Sequence, residues 1–448
     1  MSTVTTINPS TGNPIETYIR LKQTQVNSYI EEANKTFQIW KNKSYDERAK
    51  LMNALADIFD ERNEEYAQLA TKEMGKTIVQ SRKEIEKCAK ICRYYAGHTS
   101  ELLADETVET EAIKSYVAFQ PLGVILAVMP WNFPFYQVIR FLAPALMAGN
   151  TGVLKHASNV QGCAFALEKA IEDAGFPKGT FTNLNVSSDV VESIIKNDHI
   201  VAVTLTGSAP AGQSVASIAG KYLKKTVLEL GGSDAYVVLE DADLEKATDL
   251  ATYGRLQNNG QTCIAAKRFI VLESIYDDFL KRFTEKMKAA KMGEPTDEDT
   301  YYGPLARVDL RDELHEQVGK LVVGGNIPEQ KGAYYPATIL ADLKPGMEAF
   351  DEELFGPVAS VIKAKNENHA IELANNSKFG LGSGVITENK SRGEKVALQL
   401  EAGSSFVNKL VVSDPRLPFG GIKTSGYGRE LSGYGIKEFT NTKSIWID

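Results

Sequence analysis

The chain has 448 residues, 43% hydrophobic and 24% charged, with a formal net charge of −8. That is an ordinary globular composition, long enough for roughly two or three domains around a large core. The negative balance offers no footprint for nucleic acid or an anionic membrane, so neither is expected as a partner.

The first residues, Met1-Ser2-Thr3-Val4-Thr5-Thr6-Ile7-Asn8-Pro9, hold no basic segment followed by an apolar one, so no signal peptide is expected. The apolar stretch 124–130 is far too short to span a bilayer. Four cysteines, Cys88, Cys92, Cys163 and Cys263, point to a reducing compartment, and a cytoplasmic location is expected. Cys88 and Cys92 share a face of a helical pattern. With no matching cysteine or histidine pair elsewhere they read as packing, and no metal is expected.

In chain order, residues 21–100 predict mostly helix, with Leu51, Leu55 and Phe59 recurring at four-residue spacing. Residues 112–119 alternate as a strand that suits a subunit contact, and Pro121-Leu122-Gly123 stops it. Short apolar strands are then predicted at 124–128, 152–155, 200–205 and 226–230, with helices at 135–147, 158–174 and 212–219 between them. Such alternation predicts a parallel sheet with helices on both faces, where ligands bind beyond the carboxyl ends of the strands. Asn132, Lys155, Gly207, Ser208 and Glu229 all fall at such ends. A second alternating region runs from Cys263 to about residue 420, and the tail, 444–448, is strand-like.

Two stretches carry candidate chemistry. Asn258-Asn259-Gly260-Gln261-Thr262-Cys263 delivers a thiol on a glycine- and amide-rich loop ahead of an apolar run. Glu229 ends an apolar strand before Gly231 and Gly232. Together they read as a nucleophile and its base, although an isolated cysteine is more often a small buried hydrophobe. Asn132 is either an oxyanion donor or a turn residue, and Lys155 either a phosphate or ribose contact or a solvated charge. Thr206-Gly207-Ser208 opens a helix whose N-terminus can hold a phosphate, but it lacks the G-x-G-x-x-G spacing and alone reads as a plain turn.

Taken together, the pieces are specific. Pro130-Trp131-Asn132-Phe133-Pro134, Lys155-His156-Ala157-Ser158, Thr206-Gly207-Ser208, Glu229-Leu230-Gly231-Gly232, Gly260-Gln261-Thr262-Cys263, Glu353-Leu354-Phe355-Gly356-Pro357 and Pro418-Phe419-Gly420-Gly421 resemble, in order, the motifs of the aldehyde dehydrogenase superfamily. Residues 228–234, 265–270 and 413–421 carry a narrower resemblance to bacterial succinate-semialdehyde dehydrogenases.

The resemblance implies an α/β fold with a Rossmann-type cofactor domain (1–102 and 121–230), an α/β catalytic domain (231–425) and a small β oligomerisation element (103–120 and 426–448). It implies that Cys263 attacks the aldehyde, that the Asn132 side chain and the Cys263 N–H hold the oxyanion, and that Glu229 activates the hydrolytic water. Trp131, Lys155, Ser158, Gly207, Ser208, Leu230, Glu353 and Phe355 are the implied cofactor contacts. Many NAD-preferring relatives carry glutamate where Ser158 stands; with Lys155 and His156 beside a neutral serine, NADP is favoured over NAD. Arg140 and Ser413 are the implied contacts for a substrate carboxylate.

Some relatives carry a second arginine where Gln257 stands, so one guanidinium plus neutral donors is expected. Ala265 replaces a second cysteine found in some relatives, which rules out a local disulfide switch. The stretch 311–321 looks shorter than the family's helix and connection. The expected function is NAD(P)-dependent oxidation of succinate semialdehyde by a homodimer or homotetramer. The alternatives are a dehydrogenase of glutarate semialdehyde or an aliphatic aldehyde, or a catalytically silent relative.

Overall fold

The computed structural model describes residues 2–319, 329 and 331–448. A hairpin of Thr3–Ile7 against Pro14–Ile19 precedes four helices, Gln23–Trp40, Tyr45–Glu61, Asn63–Met74 and Ile78–Leu102. The hairpin is largely exposed, so it carries little of the apolar alternation that marks a strand. The second helix starts where Ser44 and Glu47 satisfy each other's backbone N–H groups, at 3.2 and 2.8 Å. Cys88 and Cys92 are fully buried within the core.

The first sheet has six strands in the spatial order Gly426–Tyr427, Lys225–Glu229, Ile200–Thr206, Val124–Met129, Thr151–His156 and Phe181–Asn183. All but Gly426–Tyr427 run parallel. Successive residues of Val124–Met129 enter different cores: Ile125 and Ala127 pack under helix Tyr136–Ala148, while Val124 and Leu126 join Val26, Ile30 and Val215 on the other face. Burial on both faces is why this strand reads as an unbroken apolar run. The strand order reverses between Val124–Met129 and Ile200–Thr206. A crevice therefore opens where Trp131 and Gly207 leave the sheet.

The second sheet is also six-stranded and wholly parallel, in the order Thr338–Leu340, Val358–Ala364, Ala266–Leu272, Asp234–Val238, Gly382–Ile386 and Ser404–Val407. Glu229 ends a strand of the first sheet and Asp234 begins one of the second. The chain thus crosses between sheets in one short step, and Cys263 lies just before the strand Ala266–Leu272. The carboxyl edge of the first sheet therefore faces the amino edge of the second. Cys263 thus comes from the amino edge of its own sheet, ahead of the apolar run, while Glu229 ends a strand of the first.

A third sheet has Lys114–Pro121 in the middle, paired with Thr440–Ile447 on one side and Glu106–Thr107 on the other, so the terminal strand is longer than 444–448. Helix Val308–Gly319 accounts for most of the stretch 311–321; Lys320 and Leu321 lie outside the described residues. No helix among the described residues is long and apolar enough to cross a membrane.

Candidate active site

The crevice is a cavity of about 290 Å³. Its wall includes Trp131, Asn132, Gly207, Ser208, Leu230, Cys263, Glu353 and Phe355, so eight of the thirteen candidate residues share one surface. Glu229, Arg140, Ser413, Lys155 and Ser158 are not on that wall. Glu313, Leu314 and Gln317 of helix Val308–Gly319 close the far side, and nothing in their sequence pattern marks them.

The cysteine loop is held by amides and close backbone contact. Asn258 and Asn259 both adopt left-handed backbone, with φ of 53° and 57°, a conformation that asparagine tolerates better than most residues. The Asn259 amide donates to the carbonyls of Gly75 and Pro304, at 2.8 and 2.7 Å. Gly260 has φ of 76°, and a Cβ there would strike the Gly356 backbone, so no other residue fits. The buried Lys267 ammonium donates to the carbonyls of Thr262 and Cys263, at 3.0 and 2.6 Å, and pairs with Glu353 at 3.0 Å. Lys267 thereby ties the thiol loop to a cofactor-contact candidate. Burial pushes the Cys263 thiol up to about 11, while the Arg140 and Lys267 charges pull the other way. The thiol therefore needs a base to ionise at neutral pH.

Asn132 donates one amide hydrogen to the Gln261 carbonyl at 3.0 Å, which fixes the side chain beside Cys263 and leaves its second N–H for a ligand. The turn is anchored from behind by Glu84, which accepts from the N–H groups of Phe135 and Tyr136 at 2.8 and 2.9 Å and pairs with Lys76 in full burial. A carboxylate at a helix N-terminus complements the helix dipole.

Glu229 is 2% exposed, and neither carboxylate oxygen has a hydrogen-bond partner among the described residues. It lies under Gly420, where a Cβ would approach Glu229 Oε1 to 2.6 Å. Burial and the neighbouring Glu430 push its pKa well above the usual carboxylate range, against the pull of Arg140 and Arg429. Once ionised, a buried carboxylate of raised pKa is a stronger base toward water than a free one.

Arg140 is 2% exposed, which excludes a snorkelling surface charge. It forms an ion pair with Glu430, and its guanidinium stands 4.6 Å from the Phe419 ring centroid. Its charge is thus already matched by a protein carboxylate, and truncating it would strand Glu430 beside Glu229. Ser413 bonds the Tyr136 hydroxyl at 2.8 Å and accepts from Lys87 at 2.6 Å. Tyr136 and Lys87 did not stand out in the sequence. Lys87 lies in a lysine-bearing helix, Ile78–Leu102, with no local cue to set it apart.

Lys155 pairs in register with Val128, so it stands one strand away from the Trp131 turn, and Ser158 opens a 3₁₀ turn just beyond it. Burial and the Arg20 guanidinium lower the Lys155 pKa. His156 is a correction: its Nε2 donates to the Pro134 carbonyl at 2.9 Å, and burial pushes it down to about 4, so it is a neutral core residue and not a cation at this subsite. Ser208 sits at the N-cap of helix Ala209–Lys221 without a side-chain cap bond, which leaves first-turn N–H groups for a ligand oxygen. Trp131 and Phe355 meet edge to face at 5.7 Å across the cleft. Anion-binding amides, flat aromatic walls and nearby cations fit a phosphorylated dinucleotide.

This doubly wound pair of sheets with a cysteine in the crevice defines a class, and the aldehyde dehydrogenase family model matches residues 1–445: the chain belongs to that family. Among its relatives, a probable succinate-semialdehyde dehydrogenase [NADP(+)] of Synechocystis is 49% identical, with 99% of each chain covered. Succinate-semialdehyde dehydrogenase [NADP(+)] 1 of Mycobacterium tuberculosis is 48% identical over 99% of each chain. The crystal structure of the Streptococcus pyogenes succinic semialdehyde dehydrogenase with NADP+ superposes with a TM-score of 0.97, at 39% identity and 99% coverage of both chains.

Proposed function

We propose that this protein oxidises succinate semialdehyde to succinate, with NADP as the hydride acceptor. The observation that carries this reading is a cysteine and an oxyanion donor on one cleft wall, with an unpaired carboxyl behind it, in a chain 48–49% identical to proteins of that activity. The Cys263 thiol gives up its proton to water as the sulfur bonds to the aldehyde carbon, and the Asn132 amide and the Cys263 N–H hold the resulting oxyanion. Collapse of that oxyanion expels hydride, leaving a thioester on Cys263. The bound nicotinamide supplies the hydride-accepting carbon. Glu229 then takes a proton from a water that attacks the thioester, releasing the acid and restoring the thiol. Arg140 and Ser413 lie on the side of the site where the substrate's second carboxylate is bound.

Lys267 positions Glu353 and the thiol loop, while Trp131, Phe355, Gly207, Ser208 and Leu230 hold the dinucleotide. Lys155 and Ser158, with Arg20 nearby, form its 2′-phosphate subsite. Ser158→Glu is expected to lower kcat/KM for NADP by at least about tenfold more than for NAD, a difference of about 1.4 kcal/mol. Initial rates with each cofactor check this, and equal losses would remove Ser158 from the subsite.

The sheet containing Thr440–Ile447 leaves Trp446 and Ile447 half-exposed, which supports a homo-oligomer joined there. The reading as a whole is tested by initial rates over a panel of succinate semialdehyde, glutarate semialdehyde and butyraldehyde with both cofactors. Succinate semialdehyde with NADP should give the highest kcat/KM; a higher value for an uncharged aldehyde would overturn it.

A further inference from the structure

The Lys87 side chain runs from helix Ile78–Leu102 to Ser413 and Tyr136, with its ammonium 2.6 Å from Ser413 Oγ and 4.1 Å from the centroid of the Tyr136 ring. The Arg140 guanidinium lies 6.0 Å from the same ring. Among the described residues, no carboxylate forms an ion pair with Lys87. Glu84, one turn earlier, is committed to Lys76 and to the N–H groups of Phe135 and Tyr136. Arg140 is matched by Glu430. Lys87 is therefore the cation here whose charge the protein leaves unmatched, and a largely buried ammonium without a counter-ion is costly unless an anion joins it. The Arg140 charge acts on the Cys263 thiol, and Cys263 in turn acts on the Lys87 ammonium. Tyr136 starts its helix four residues after Asn132, and Asn132 bonds the carbonyl of Gln261, two residues before Cys263, so the Lys87–Tyr136–Ser413 cluster is joined to the thiol loop through that turn.

We infer that Lys87 is a second cationic contact for the far carboxylate of the substrate, acting with Arg140 and the Ser413 hydroxyl and setting the preference for a charged over an uncharged aldehyde. This rests on the proposed semialdehyde substrate. It replaces the expectation of one guanidinium plus neutral donors: the second cation comes from another helix, not from the position of Gln257.

Burial and the Arg140 charge push Lys87 down to about 8. The groups that face it are Glu84 and Cys88 on its own helix, Tyr136 and Arg140 on helix Tyr136–Ala148, Ser413, and Cys263 in the thiol loop. The ammonium is present below that pH and lost above it, so preference for the charged aldehyde should decline as pH rises through about 8. Ionisation of Cys263 affects both aldehydes alike and cancels in a ratio.

The test is the ratio of kcat/KM for succinate semialdehyde to that for butyraldehyde, across neutral to alkaline pH, in the parent, Lys87→Met and Lys87→Arg. Lys87→Met is expected to lower the ratio by at least about 30-fold at neutral pH. The parent ratio should fall through about pH 8, while Lys87→Arg should keep a ratio that does not titrate there. An unchanged ratio in Lys87→Met, or a parent ratio independent of pH, would overturn the inference. If Lys87→Met does not fold, the parent and Lys87→Arg profiles still decide. A parent that never prefers succinate semialdehyde would overturn the substrate assignment, a result distinct from a preference that survives loss of Lys87.

Discussion

Replacing Cys263 by alanine is expected to reduce aldehyde oxidation below about a thousandth of the parent rate, a barrier increase above about 4 kcal/mol. Of the four cysteines, Cys88, Cys92 and Cys163 are fully buried, and Cys263 alone lines the cleft. Burial also raises the three core thiols, so none is a ready substitute nucleophile. The alanine variant should still bind dinucleotide, because the residues proposed to hold its phosphates, ribose and nicotinamide lie elsewhere. Quenching of tryptophan fluorescence, with Trp131 on the cleft wall, reads that binding separately from turnover. Residual activity well above a thousandth would mean that no covalent step on Cys263 is required.

Glu229→Gln is expected to separate the two halves of the reaction. Thiol attack and hydride transfer leave a thioester, so mixing should give a burst of reduced cofactor of about one per active site, followed by a much slower phase. The slow phase reports the loss of the base that activates water. A variant with normal steady-state turnover would exclude Glu229 from that role.

Stability should change differently. Burial and Glu430 raise the folded-state pKa of Glu229, so the folded protein holds this proton more tightly than the unfolded chain. That favourable difference is present at low pH and is lost as pH rises through the folded pKa. At neutral pH the neutral glutamine should therefore melt no lower than the parent. A large drop in melting temperature together with lost activity would point to a structural role.

The separate parts of the site were legible where a local rule forces a residue. Gly260 is dictated by its own left-handed φ of 76°, and the Asn258-Asn259 pair by theirs. The apolar runs 124–128 and 200–205 showed a buried parallel sheet because each is covered on both faces. Residues that act through long-range contact left no such trace. Glu84 is polar and helical in sequence, yet it is fully buried and anchors a turn some fifty residues later. Lys87 looks like its neighbours Lys83 and Lys90, and only the packing of two helices brings it to Ser413. Arg140 was visible as an odd charge on an apolar helix, but its partner Glu430 lies in a distant loop after Gly428. His156 misled because its position beside Lys155 in sequence says nothing of its side chain, which turns inward to Pro134.

The central claim is that oxidation passes through a thioester on Cys263, and trapping that thioester tests it most directly. Glu229→Gln would be mixed with NADP and succinate semialdehyde, quenched in acid during the stall, digested, and analysed by mass spectrometry. The account predicts one succinyl group on the peptide containing Cys263 and none on those containing Cys88, Cys92 or Cys163. A full burst of reduced cofactor with an unmodified Cys263 peptide would contradict it.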